Sequence, residues 1–251
     1  MARLLARGLS GLPEVRRGDD LAELIVAALG GDQLRDGQLL AIAHKVVSKA
    51  EGAVVELATV TPSRRAQQLA RAQGKDARAV QVVLDESREV LRAERDVLIC
   101  RTRHGFVCAN AGVDASNASS PDTLVLLPRD PDASARRIRA RLRELTGHTP
   151  GVLISDSFGR TWRHGQLDVA IGLAGMQPLD DWRGRTDAGG LELHATWLAV
   201  ADAAAAAAET ARAKDSREPV VIIEGLERYL ADEDGAGASA LLRAPAEDLF
   251  S

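Results

Sequence analysis

Residues 154–171 read Ile-Ser-Asp-Ser-Phe-Gly-Arg-Thr-Trp-Arg-His-Gly-Gln-Leu-Asp-Val-Ala-Ile, and they constrain the local fold more than any other stretch of the chain. An apolar strand at 152–154 delivers Asp156 and Ser157 into a loop, and the chain returns in a second apolar run at 169–173. Between them lie two arginines, a Trp, a His, a Gln and two glycines. Polar and cationic groups concentrated at a strand exit are the composition of a ligand site, because anions need Arg donors and metals need carboxylate oxygen. A solvated hairpin loop is the plainer alternative.

The chain has 251 residues, 45% of them hydrophobic, which is enough to bury a full core. No tandem repeat and no long Pro/Gly/Ser linker interrupts it, so residues 1–251 read as one compact unit. Charged residues make up 27% and the net charge is −4, which gives no reason to expect nucleic-acid or anionic-membrane binding. No apolar run reaches membrane-span length and the start is too short and too charged for a signal peptide, so a cytoplasmic protein is expected. Cys100 and Cys108 flank a turn at 104–105 and read as two reduced, half-buried thiols, able to face each other across a hairpin. Lysine is scarce: Lys45, Lys49, Lys75 and Lys214 stand beside 28 arginines.

The spacing predicts a helix over 20–29, with Asp20 as N-cap and Glu23 completing a capping box. A strand is expected at 39–43, extended by 46–47, then a helix opening at Thr61-Pro62 with Pro62 in its first position. A third helix is expected over 76–94, broken from the second by Gly74. Strands follow at 97–100, 106–109 and 124–127, then a helix at 132–145 whose arginine-rich outer face reads as solvated surface. The last third reads as a strand from 169, a helix over 197–214 and a strand at 220–223. The alanine run 203–208 is helix filler. Helices and strands mix without regular alternation, which is the α+β pattern.

Three constellations carry chemistry. His44-Lys45-Val-Val-Ser48-Lys49 follows a buried strand and suits a polyphosphate, the ammonium groups supplying charge and Ser48 a hydrogen bond. Lys45 and Lys49 share a side if the segment is extended, and are i,i+4 neighbours if it is helical; solvated lysines are the plainer reading. A second strand-exit loop offers Asp114 and Asn117, either as hard oxygen ligands or as turn caps. Asp114, Asp156 and Ser157 together suit Mg²⁺ or Mn²⁺. Arg160 and Arg163 are assigned, from charge alone, to a substrate carboxylate or phosphate, and Lys45 likewise to phosphate charge. His164 reads as a hydrogen-bonding group rather than a base. No P-loop, zinc spacing or nucleophile elbow occurs, and 235–240 only imitates a dinucleotide fingerprint.

The chain resembles the coenzyme F420-0:L-glutamate ligase family, the γ-glutamyl ligases of deazaflavin biosynthesis. The resemblance is carried in order by Gly11-Leu-Pro-Glu-Val15 with Gly18-Asp-Asp20, His44-Lys-Val-Val-Ser-Lys49, Ala111-Gly-Val-Asp114 with Asn117, the motif from Asp156 to Asp168, and Leu241-Leu-Arg with Asp248-Leu-Phe250. It implies a single ligase module with a mixed, barrel-like sheet among helices, working as a homodimer. It further implies GTP as co-substrate, with L-glutamate and coenzyme F420-0 as the groups joined. By the same resemblance Leu12, Pro13, Glu14, Val15, His44, Lys49 and Asn117 contact GTP, as does the segment around Lys214. Asp114 and Asp156 bind one divalent ion and Ser157 a second, and a monovalent cation such as K⁺ is a further candidate cofactor. Some members carry Ser where this chain has His44.

The chemistry of the residues agrees with a ligase. A free carboxylate does not acylate an amine unaided, and transfer of a γ-phosphoryl group makes it an acyl phosphate that an amine can displace. Such a route needs metal and cations around a polyphosphate and little covalent help from the protein. A metal-dependent phosphohydrolase and a non-catalytic GTP-binding module are the competing readings.

Overall fold

The computed structural model describes residues 3–116, 120 and 122–248. Asn117 and Phe250, both named above, lie outside the described residues. In chain order the elements are β1 (Leu5–Gly8), α1 (Leu21–Ala28), β2 (Leu39–Ala43), α2 (His44–Glu51), β3 (Val54–Glu56), α3 (Arg64–Gln73), α4 (Ala77–Asp85), β4 (Ser87–Glu94), β5 (Val97–Thr102), β6 (Val107–Ala109), β7 (Thr123–Val125), α5 (Pro131–Thr146), β8 (Gly151–Arg160), β9 (Arg163–Ala174), β10 (Asp180–Asp181), β11 (Trp197–Leu198), α6 (Val200–Ala211) and β12 (Val220–Glu224).

The central sheet has the order β1-β12-β2-β8-β9, antiparallel throughout except for the parallel pair β2/β8. Its inner strands are apolar on both faces, as strands covered from two sides must be. Leu40, Ile42, Val152, Ile154, Val220 and Ile222 pack toward α1 and α5. Their alternates Leu39, Ala41, Leu153, Val221 and Ile223 pack toward α6, which is the period-two pattern of a pleated strand. The alanine run thus has a packing role: Ala204, Ala205 and Ala208 are buried against the sheet, where small side chains let helix and strands approach. Smaller sheets, β4-β5-β6 and β3-β7, complete an α+β arrangement. Among the described residues no strand order closes on itself, so the barrel-like part implied by the resemblance is not a closed barrel. No helix among them is long and apolar enough to cross a membrane.

Asp20 caps α1 as expected, its carboxylate accepting the amides of Ala22 and Glu23. Several expectations need correction. Val46 and Val47 do not extend β2 but lie in α2, where His44, Val47 and Ser48 form a buried stripe at helical spacing. Pro62 precedes the helix instead of opening it, because Ser63 takes the N-cap and accepts the Ala66 amide. The helix expected over 76–94 stops at Asp85. Residues 87–94 turn into β4, since Arg95 and Asp96 both adopt left-handed backbone (φ 52° and 61°) and close a two-residue hairpin onto β5. The helix placed at 197–214 begins at Val200, after the short strand β11. Cys100 and Cys108 do face each other across β5/β6, and both are buried free thiols rather than half-buried ones. Arg139, on the helix face read as solvated, is 4% exposed and bonds inward.

The polar run after Asp156 is the largest correction to the local reading. It is no irregular loop: β8 continues to Arg160, β9 begins at Arg163, and only Thr161 and Trp162 turn between them. Gly159 pairs with Gln166 and Ser157 with Asp168 along this ribbon. Its tip is exposed, with Trp162 79% accessible.

Candidate active site

The parallel pairing of β2 and β8 sets the site. Ala43 lies opposite Ser155 in register, so β2 gives way to α2 at the point where β8 runs on paired with β9 alone. The next residues, His44 at the start of α2 and Asp156 on β8, meet there: the imidazole Nε2 is 3.2 Å from Asp156 Oδ1. His44 is 2% exposed, and that Nε2 makes no well-directed hydrogen bond, while Nδ1 lies 3.3 Å from the Ser48 hydroxyl. Carboxyl ends of parallel strands are where α/β sheets place ligand sites. Ala43 offers no capping side chain, so the first-turn amides of α2 keep their donors.

Lys45, one residue further along α2, pairs with Asp114 (Nζ–Oδ2 2.6 Å) and donates to Ser116 Oγ (2.6 Å). Asp114 reaches this point because it bridges to Val125 of β7, and the Ser116 amide and hydroxyl bond back to its carboxylate (2.6 and 3.0 Å). Burial disfavours the Asp114 charge, but the Lys45 ammonium and the Ser116 donors outweigh it and hold the carboxyl below its ordinary value. Asp114 and Asp156, 42 positions apart in the chain, therefore contact consecutive residues of one helix turn.

Lys49, Glu14, Ser157 and Lys214 fall around this centre. Lys49, one turn along α2, pairs with Glu14 (2.5 Å). Leu12 and Val15 pack on the core beside it, in the segment between β1 and α1. Ser157 follows Asp156 on β8; its amide bonds Asp156 Oδ1 (2.8 Å), and Lys214 Nζ donates to its hydroxyl (2.8 Å). Arg160 and Arg163 are not brought to the carboxylates. They pair at the exposed ribbon tip, four and seven residues past Asp156, where Arg160 bonds the His164 carbonyl (2.5 Å). At the usual rise per residue, Arg160 Cα is about 13 Å from that of Asp156.

Sequence reasoning missed Asp168 and Arg212. Asp168 is 1% exposed on β9 and takes hydrogen bonds from Ser155, Ser157 and Arg212. A carboxylate flanked by apolar Leu167 and Val169 in a strand was the available signal, but its partner across the ribbon appears only with the register.

Asp114, Asp156 and Ser157 offer two carboxylates and a hydroxyl, the hard donors that Mg²⁺ and Mn²⁺ prefer. Among the described residues no three His, Cys, Asp or Glu side chains gather in a metal-binding group. An ion held here would thus take few protein oxygens and complete its shell with phosphate and water, the usual manner of Mg²⁺. Burial, and secondarily the Asp156 charge, push the neighbouring Cys108 thiol up to about 12.

A carboxyl whose value is lowered by folding stabilises the fold above its unfolded value, near 4, and loses that contribution as pH falls through the lowered one. Wild type should therefore exceed Asp114→Asn in stability to urea at pH 7, and the gap should shrink steadily below about pH 4. A gap independent of pH would mean that the Lys45 pair is not what holds the charge.

A profile of the family described as F420-0:Gamma-glutamyl ligase matches residues 11–225. A coenzyme F420:L-glutamate ligase of Methanopyrus kandleri is 47% identical over 239 residues, covering 94% of this chain and 93% of its own. Its counterpart in Methanothermobacter thermautotrophicus is 45% identical over 247 residues, 97% of each chain. That of Methanocaldococcus jannaschii is 40% identical over 242 residues, 95% of this chain and 94% of its own.

Proposed function

The chain belongs to the F420-0:γ-glutamyl ligase family, and from that premise we propose that it joins L-glutamate to coenzyme F420-0 in a GTP-dependent reaction, through γ-glutamyl linkages. The relatives' names support the ligase class and its two substrates. GTP, the divalent ion and the homodimer belong to the proposal.

One observation carries the reading: adjacent residues of α2 collect the two carboxylates proposed for metal, and the lysines proposed for phosphate lie on the same turns. Each anionic or hydroxyl oxygen has a cationic or imidazole partner: Asp156 with His44, Asp114 with Lys45, Glu14 with Lys49, Ser157 with Lys214. A metal–triphosphate pair brings both signs of charge at once. The carboxylates can turn to the cation and the ammonium groups to phosphate oxygens, and neither set is left unpaired.

In the proposed reaction the precursor carboxylate attacks the γ-phosphorus of GTP, forming a C–O–P bond as the bond to GDP breaks. The amine of glutamate then attacks the acyl carbon, a C–N bond forms, phosphate leaves with the C–O electrons, and the amine loses its proton. The ion, when bound, neutralises charge on the polyphosphate. The protein's part is to hold the triphosphate with Lys45, Lys49 and the amides of α2, to orient the two carboxylates, and to shield the acyl phosphate from water. Arg160 and Arg163 are kept as contacts to a substrate carboxylate or phosphate that reaches the ribbon tip.

Phosphate release from GTP should require F420-0 and L-glutamate together and should stop when a chelator removes divalent metal. GTP loss without glutamate would make the protein a phosphohydrolase. GTP binding without turnover in the complete mixture would make it a binding module.

A further inference from the structure

Asp168 is more deeply buried than any other Asp or Glu among the described residues. It sits directly opposite Ser157 in the β8/β9 register. Its Oδ2 takes the Arg212 Nη2 donor (2.6 Å) and the Ser155 hydroxyl (2.9 Å), and its Oδ1 takes the Ser157 hydroxyl proton (2.5 Å). Arg212 is anchored in turn on the Pro219 carbonyl (3.0 Å), and Glu209 of α6 accepts the Asp168 amide (2.9 Å). Both oxygens of this buried carboxylate therefore have donors, from the Arg212 guanidinium and from two hydroxyls, as a buried polar group requires.

A serine hydroxyl has one proton and two acceptor positions. With its proton committed to Asp168, Ser157 Oγ can only accept from any further partner, and it does so from Lys214 Nζ. A short bond to a charged acceptor also raises electron density on that oxygen, as carboxylates behind metal ligands do. The Lys214 ammonium is itself 73% exposed and also paired with Glu209 (3.0 Å), so it can leave the Ser157 oxygen while keeping that ion pair.

We propose that Asp168, fixed by Arg212, is a positioning residue that makes the Ser157 oxygen an obligate acceptor for a cation, occupied by the Lys214 ammonium or by a divalent ion. This rests on the assignment of Ser157 to metal under the proposed function.

The test is calorimetric titration with Mn²⁺ alone, without nucleotide, on the full chain. Asp168→Asn should weaken Mn²⁺ binding about 10- to 100-fold. In a Ser157→Ala background the same change should alter affinity by no more than about twofold. Equal losses in both backgrounds would show that Asp168 merely holds the strand, and no loss in either would also overturn the inference. If Asp168→Asn does not fold, Asp168→Asn with Arg212→Gln removes the two charges together and is read in the same way. Ser157→Ala binding Mn²⁺ as tightly as wild type would remove the metal assignment itself. Weakened binding by Ser157→Ala with none by Asp168→Asn would overturn only the positioning role.

Discussion

Asp156→Asn should cut ligation by well over tenfold and leave the fold intact. The amide keeps the shape of the carboxylate and can still accept the Ser157 amide that now bonds Oδ1 at 2.8 Å. What it loses is the second carboxylate oxygen, next to the His44 ring and in the site proposed to hold a cation. Removing one partner of a close, largely buried polar contact in such a site is worth about 2–5 kcal/mol, so kcat/KM should fall by about 30- to 5000-fold. Thermal melting of the variant should match wild type. Normal turnover by a folded Asp156→Asn protein would take Asp156 out of the reaction.

Arg139→Met should be the most destabilising single change remote from the site. Its guanidinium, 5% exposed, donates to the carbonyls of Pro150 (3.0 Å), Asp232 (3.0 Å) and Ala231 (2.7 Å) and to the Asp234 carboxylate (2.8 Å). One side chain thus ties α5 to the start of β8 and to the segment after β12. Gly175, at φ 72°, passes so close that a Cβ there would meet the guanidinium at 2.3 Å. Methionine fills much of the volume but strands three carbonyls without a donor. The expected loss is about 3–5 kcal/mol, a fall in Tm of about 6–20 °C. It is checked by urea unfolding, and a midpoint unchanged from wild type would show the clip to be dispensable.

Much of the fold was readable from local chemistry. Asp20 announced α1, and the inner strands announced themselves by continuous apolar runs that only a sheet covered on both faces can use. Sequence logic failed where tertiary pairing overrode propensity. Residues 87–94 carry helix-forming Arg, Glu and Leu, yet the Arg95-Asp96 turn folds them back onto Val97–Thr102, and pairing decides their state. For the candidate site, residue types at strand exits singled out Asp114, Asp156, Ser157, Lys45 and Lys49 as candidates, since charge beside a buried strand needs a reason. Distance was not readable. Arg160 and Arg163 share the motif with Asp156 but project along a ribbon that carries them away from it. Asp168, by contrast, is brought back beside Ser157 by register alone.

The most direct measurement is mass spectrometry of the products formed by the purified protein from coenzyme F420-0, GTP, Mg²⁺ and L-glutamate. A ligase built on this site yields product heavier than the precursor by whole glutamyl units, with GDP and phosphate formed in step with each unit. GTP converted to GDP while the precursor keeps its mass would contradict the account.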